Sequence, residues 1–124
     1  MGTKAIKHFI NAQNKLKEAK QELFRPEKDI VSYLVCKNSQ HAVEDYLKGY
    51  LVKNGINIED LETIESLYNQ CVVINPNFKK VNLSDFQCKG HDVDSRFCNE
   101  IPIVTNCFDA ADNLDTFLRK EKII

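Results

Sequence analysis

Apolar residues recur at helical spacing over most of this chain. From Thr3 to Phe24 the large apolar side chains are Ile6, Phe9, Ile10, Leu16, Leu23 and Phe24. At 100° per residue they fall within an arc of about 140°, which predicts an amphipathic helix with one core-facing stripe. Lys4, Lys7, Lys15, Glu18 and Glu22 take the opposite side. Arg25-Pro26 ends the pattern, because a residue before proline avoids the α region. Pro26 suits the first turn of a second helix, with Glu27 and Asp29 at its positive dipole end. That helix runs to Asn54. Its apolar residues (Ile30, Val31, Tyr33, Leu34, Val35, Ala42, Val43, Tyr46, Leu47, Tyr50 and Leu51) drift around the axis. A stripe that drifts meets several neighbours, so this helix is expected at the centre. Asn54-Gly55 closes it with glycine at the left-handed C′ position.

Asn57 is expected to cap a third helix, with Glu59 and Asp60 in its first turn. Ile58, Leu61, Ile64, Leu67, Tyr68, Cys71 and Val72 carry its stripe, and Asn75-Pro76 ends it. Residues 77–103 lack a clear period. Ser84-x-x-Gln87 has the form of a capping box and marks a short helical turn there, and the rest reads as a polar loop. After Pro102 the pattern returns in Val104, Cys107, Phe108, Ala111, Leu114 and Leu118, with Asp109, Asp112 and Asp115 on the other side. The fold class expected is all-α: an up-down antiparallel bundle of four helices, with room for a fifth, in one domain over residues 1–124.

Composition adds exclusions. The 124 residues are 43% hydrophobic and 28% charged, which is ordinary for a globular chain and unlike a disordered one. No apolar run reaches the length of a signal peptide or a membrane span, so no membrane partner and a cytoplasmic location are expected. Five cysteines, an odd number, argue against a disulfide framework. The net charge of −1 hides two opposed halves. Residues 1–54 hold ten Lys/Arg and six Asp/Glu, a balance of +4, and residues 55–124 hold seven and twelve, a balance of −5. The halves either neutralise each other in the fold or leave a basic face along the first two helices for an anion. The overall balance is not that of a strongly basic nucleic-acid binder.

Few residues carry a chemical signature. Cys88-x-x-His91 with Cys98 and Cys107 has zinc-type ligands but only one close pair, so scattered free thiols are the plainer reading. Phosphate-loop, zinc-protease, nucleophile-elbow and EF-hand patterns are absent. Asp109, Asp112 and Asp115 are expected on a solvated face, with a Mg²⁺ or partner surface as the other reading. The second helix places His41, Glu44 and Lys48 on one edge, either as a surface ion pair or as a polar row along a groove.

The stretch Gln40, Ala42, Glu44, Leu47, Lys48 and Leu51 resembles the signature second helix of HEPN domains (higher eukaryotes and prokaryotes nucleotide-binding). Ala12, Leu16 and Ala19 look like that family's first helix. Ser95-Arg96-Phe97-Cys98 looks like the A-R-Y-P element before its last helix, with Cys98 in place of the proline. The resemblance implies an up-down helical bundle, a homodimer and, for some members, a nucleotidyltransferase partner. Catalytic members are metal-independent ribonucleases that use R-x4–6-H. Here no histidine follows Arg25, Arg96 or Arg119 at that distance, so the ribonuclease role is not carried over.

The expectation is a non-catalytic, HEPN-like binding and assembly module without a cofactor. Its ligand would be a nucleotide, an RNA or a similar phosphate compound held by Lys48 and Arg96, with His41 beside them. The alternatives are a divergent toxin-type ribonuclease using Arg96 and His91, and a purely structural partner protein docking through the Asp109/Asp112/Asp115 face or the basic half.

Overall fold

In the computed structural model, residues 2–24, 32–61, 63–81 and 101–124 are described. They form four α-helices, α1 (Gly2–Leu23), α2 (Ser32–Lys53), α3 (Ile64–Ile74) and α4 (Ile101–Lys120), with a 3₁₀ turn at Pro76–Lys80. There is no strand among the described residues. The described residues form an all-helical bundle, as the periodicity predicts.

α2 is the central helix and packs against the other three. Val35, Ala42, Val43, Tyr46, Leu47, Tyr50 and Leu51 are all buried, so its drifting stripe covers about half of the helix and serves all three neighbours. α1 runs antiparallel to it: Lys4 shares a recess with Val52, Phe9 adjoins Gly49, and Leu16 shares a groove with Tyr46. α4 runs the same way as α2, since Tyr46 bonds Asp115 and Lys53 Nζ donates to Ile123 O at 3.4 Å.

α1 is turned differently from the expectation. Its buried face is Ala5, Phe9, Ala12, Leu16 and Ala19, while Ile6, Ile10 and Phe24 are exposed. The buried set steps by four and three residues, a heptad-like seam. It lies about 70° round the helix from the centre of the expected arc. Small alanines let α1 approach α2 closely, and Gly49 completes the contact. A Cβ there would stand 2.7 Å from Phe9 Cε1 and 3.2 Å from His8 Cβ.

α2 ends as its Asn54-Gly55 pair predicts. Gly55 has φ 77°, Gly55 N–H donates to Val52 O at 3.0 Å, and Ile56 N–H to Leu51 O at 2.9 Å, the paired bonds of a Schellman motif. α4 ends likewise with Lys122, at φ 58°, in the glycine position, and Ile123 N–H bonded to Leu118 O at 2.9 Å.

α3 starts later than expected. Asn57 caps no helix; its side chain accepts from Glu59 N–H at 2.9 Å in a local turn. The cap is Thr63, whose Oγ1 accepts from Ser66 N–H at 3.0 Å while Ser66 Oγ accepts from Thr63 N–H at 3.2 Å. Ile58 and Leu61 sit half-buried in the connection. The irregular segment also begins later. Phe78 in the 3₁₀ turn is fully buried, with its ring centroid 4.7 Å from Tyr50 and 4.8 Å from Phe117. The Tyr68 hydroxyl secures that turn by donating to Phe78 O and Val81 O.

Candidate functional site

α1, α2 and α4 together line a groove of about 230 Å³. α1 supplies Gln13, Leu16, Lys17 and Lys20, α2 supplies Tyr46, and α4 supplies Asp112, Asp115 and Arg119. The floor is a three-residue chain of hydrogen bonds. The Tyr46 hydroxyl donates to Asp115 Oδ1 at 2.5 Å, and Arg119 Nε donates to Asp115 Oδ2 at 2.9 Å. Tyr46 itself is fully buried and Arg119 is exposed.

This arrangement fixes protons rather than moving them. Burial is the main force holding the Tyr46 phenol protonated far above the ordinary tyrosine range, and the bond to Asp115 and its charge add to it. Asp115 in turn holds the Arg119 guanidinium charged, chiefly through the hydrogen bond. Both carboxylate oxygens of Asp115 are engaged. Among the described residues the groove lining contains no histidine and no cysteine. It has cations instead. Lys17 and Lys20 are exposed at the rim and form no ion pair among the described residues, and Lys20 Nζ lies 6.0 Å from the Phe24 ring centroid. Arg119 engages Asp115 through Nε, which leaves its terminal nitrogens for an anion.

Asp109, Asp112 and Asp115 do not share one solvated face. Asp109 and Asp112 are exposed, while Asp115 is half-buried and bonded. Residues three apart on a helix differ by about 60°, so the third aspartate reaches the edge of the core.

The sequence candidates lie elsewhere. His41 is exposed and Lys48 half-buried, on an edge of α2 that faces away from Tyr46. Tyr46 and Lys48 are two residues, about 200°, apart on the helix. Neither candidate lines this groove or a second recess of about 380 Å³ formed by Lys4, Val52, Gly55, Ile56, Asn57, Ile58 and Glu59. Arg96, His91, Cys88, Cys98 and the Ser84–Gln87 turn lie outside the described residues. Among the described residues no three His, Cys, Asp or Glu side chains gather as a metal site would require.

One further pair joins α1 to α2: His8 Nδ1 lies 3.1 Å from Asp45 Oδ1. No helix among the described residues is long and apolar enough to cross a membrane. No family model matches the chain, and neither does any curated protein or solved structure.

Proposed function

We propose that this chain is a non-catalytic, HEPN-like binding and assembly module that takes a phosphate-bearing ligand of the nucleotide class in the groove between α1 and α4. One observation carries the reading. Lys17, Lys20 and Arg119 converge from two helices on a groove whose phenol and innermost carboxylate are locked to each other. Arg119 neutralises Asp115 within that chain, so Lys17 and Lys20 face the single carboxylate of Asp112 and the lining keeps one net positive charge, while the terminal nitrogens of Arg119 still point to an anion. The arginine fork and two lysine point charges suit a phosphate group. At about 230 Å³ the groove falls below the roughly 300–1,000 Å³ of pockets that enclose a whole drug-sized ligand. It suits the phosphate end of a nucleotide or RNA, with the remainder outside.

The resemblance in α2 supports the HEPN-like part. The antiparallel α1–α2 pair and the common direction of α2 and α4 suit an up-down bundle. A homodimer, a nucleotidyltransferase partner and a cytoplasmic location belong to the same reading. On this account the anion contacts are Lys17, Lys20 and Arg119; Lys48 and His41, which the sequence motif favours together with Arg96, lie on the opposite side of α2 from this groove.

Melting the purified chain with ATP, GTP or short RNA tests the reading. A ligand at about 100 times its Kd contributes about 2.7 kcal/mol, a shift of several degrees. The expected result is a saturable rise with at least one of them and intact RNA after incubation. No saturable rise with any ligand removes the proposal. RNA cleavage that vanishes in Arg96→Ala replaces it with the ribonuclease alternative.

A further inference from the structure

The outer face of α1 carries a pattern that neither the core nor the groove accounts for. Ile6, Ile10 and Phe24 are 55%, 50% and 73% exposed. Phe24 continues the helical path, its N–H bonded to Lys20 O at 3.1 Å. At 100° per residue Ile6 and Phe24 lie on one line along the helix, and Ile10 lies about 40° from it. Gln13 and Lys17 continue that line, and Lys20, Gln21 and Asn14 flank it within about 80°, while Lys7 lies about 100° away. No carboxylate falls on this face: Glu18 lies about 120° round the helix and Glu22 is buried. The face is therefore apolar at both ends, basic in the middle and free of acid. It is about 27 Å long at 1.5 Å per residue. A single exposed isoleucine is ordinary. An aligned set rimmed by one sign of charge marks an interaction surface.

We propose that this face docks an acidic amphipathic helix of a partner protein, with Ile6, Ile10 and Phe24 receiving its apolar anchors and Lys17 and Lys20 its carboxylates. Charge complementarity selects this occupant. α1 of a second copy would set lysine against lysine. A lipid surface needs an unbroken apolar face, whereas Gln13 and Lys17 interrupt this one over the roughly 21 Å between Ile10 and Phe24. A nucleic acid would stack a base on Phe24 and leave Ile6 and Ile10 unused. The surface shares Lys17 and Lys20 with the groove, but none of its apolar anchors lines the groove. A docked partner and a nucleotide would therefore compete for the two lysines, and the apolar anchors are what separate the two readings.

The test uses two synthetic helical peptides with leucines spaced to meet Ile6, Ile10 and Phe24 in either chain direction. One carries glutamates between the leucines and the other carries lysines. Fluorescence anisotropy should show saturable binding of the acidic peptide, at least about tenfold tighter than of the basic one. The doubly substituted Ile6→Ser/Ile10→Ser chain should weaken it by at least about tenfold while keeping its melting temperature and its response to ATP. Both substitutions are at exposed positions, so folding is preserved. Equal affinity for the two peptides, an undiminished Ser variant or no binding at all overturns the proposal. So does a wild-type dimer in sedimentation that the Ser variant turns into monomers, because a second copy then owns the face.

Discussion

Tyr46 of α2 donates its phenolic proton to Asp115 of α4 across 2.5 Å, and Arg119, one turn further on, holds the other oxygen of the same carboxylate. This contact ties the central helix to the last one at the floor of the groove. Tyr46→Phe keeps the ring and removes only the donor. A hydrogen bond to a charged group contributes roughly 1.5–3 kcal/mol, and Arg119 still neutralises Asp115. The variant is expected to unfold about 1–2 kcal/mol more easily in urea, with a lower midpoint and an unchanged slope.

The same phenol makes stability fall in alkali. In the folded chain its proton is held far above 10.0, the ordinary tyrosine value it regains on unfolding. A group raised in this way lends its stabilisation fully below the unfolded value, and that stabilisation is lost as pH rises above it. The gap between wild type and Tyr46→Phe should narrow by roughly 1 kcal/mol per pH unit above about pH 10. Urea melts of both proteins at about pH 9 and about pH 11 check this. A constant gap would show that Tyr46 titrates alike in both states.

Burial pushes the Cys71 thiol from 9.0 up to about 12, and its Sγ lies 3.8 Å from Leu47 O. Only the thiolate attacks an alkylating agent. In native protein at about pH 8, Cys71 should react on the order of a thousandfold more slowly than a free thiol, and reach the ordinary rate in urea. Peptide-resolved mass spectrometry separates it from the other four cysteines.

Gly49 is where α1 and α2 come closest. Alanine improves helix propensity by about 1 kcal/mol, but its Cβ would stand 2.7 Å from Phe9 Cε1. The ring is buried, so the clash costs about 1–3 kcal/mol. Gly49→Ala is expected to destabilise by about 1 kcal/mol, and Phe9→Leu on that background should recover part of the loss relative to Phe9→Leu alone.

Lys122 closes α4 in a left-handed conformation that costs an L-residue about 1–2 kcal/mol. Lys122→Gly should raise stability by about 0.5–1 kcal/mol after the added freedom of the unfolded chain is counted. Thermal melting shows the gain, and a loss would place the strain elsewhere.

These cases also show what the sequence could reveal. Helices and the glycine cap after α2 rest on local periodicity and local backbone preference, so Asn54-Gly55 was legible. The rotation of α1 was not, because the seam is built from Ala5, Ala12 and Ala19. Ranking positions by apolar size favours Ile6 and Ile10 instead. Following the four-three step would have found it. The start of α3 was hidden because Ser66 stands where a capping box usually has Glu or Gln. Above all, Tyr46 and Asp115 are 69 positions apart. Nothing in a helical stripe says which aspartate of three meets which tyrosine, and that pairing defines the groove. The row His41, Glu44 and Lys48 was legible as an edge, but the direction of that edge depends on where α1, α3 and α4 sit.

The central claim is that the α1–α4 groove binds a phosphate-bearing ligand through Lys17, Lys20 and Arg119. Isothermal titration of ATP and GTP into the wild-type chain and into a Lys17→Ala/Arg119→Ala chain tests it most directly. The account predicts one saturable site in the wild type, weakened by at least about tenfold in the variant, with Lys48→Ala changing it less. Nucleotide binding that survives in the Lys17/Arg119 variant and disappears in Lys48→Ala would contradict it.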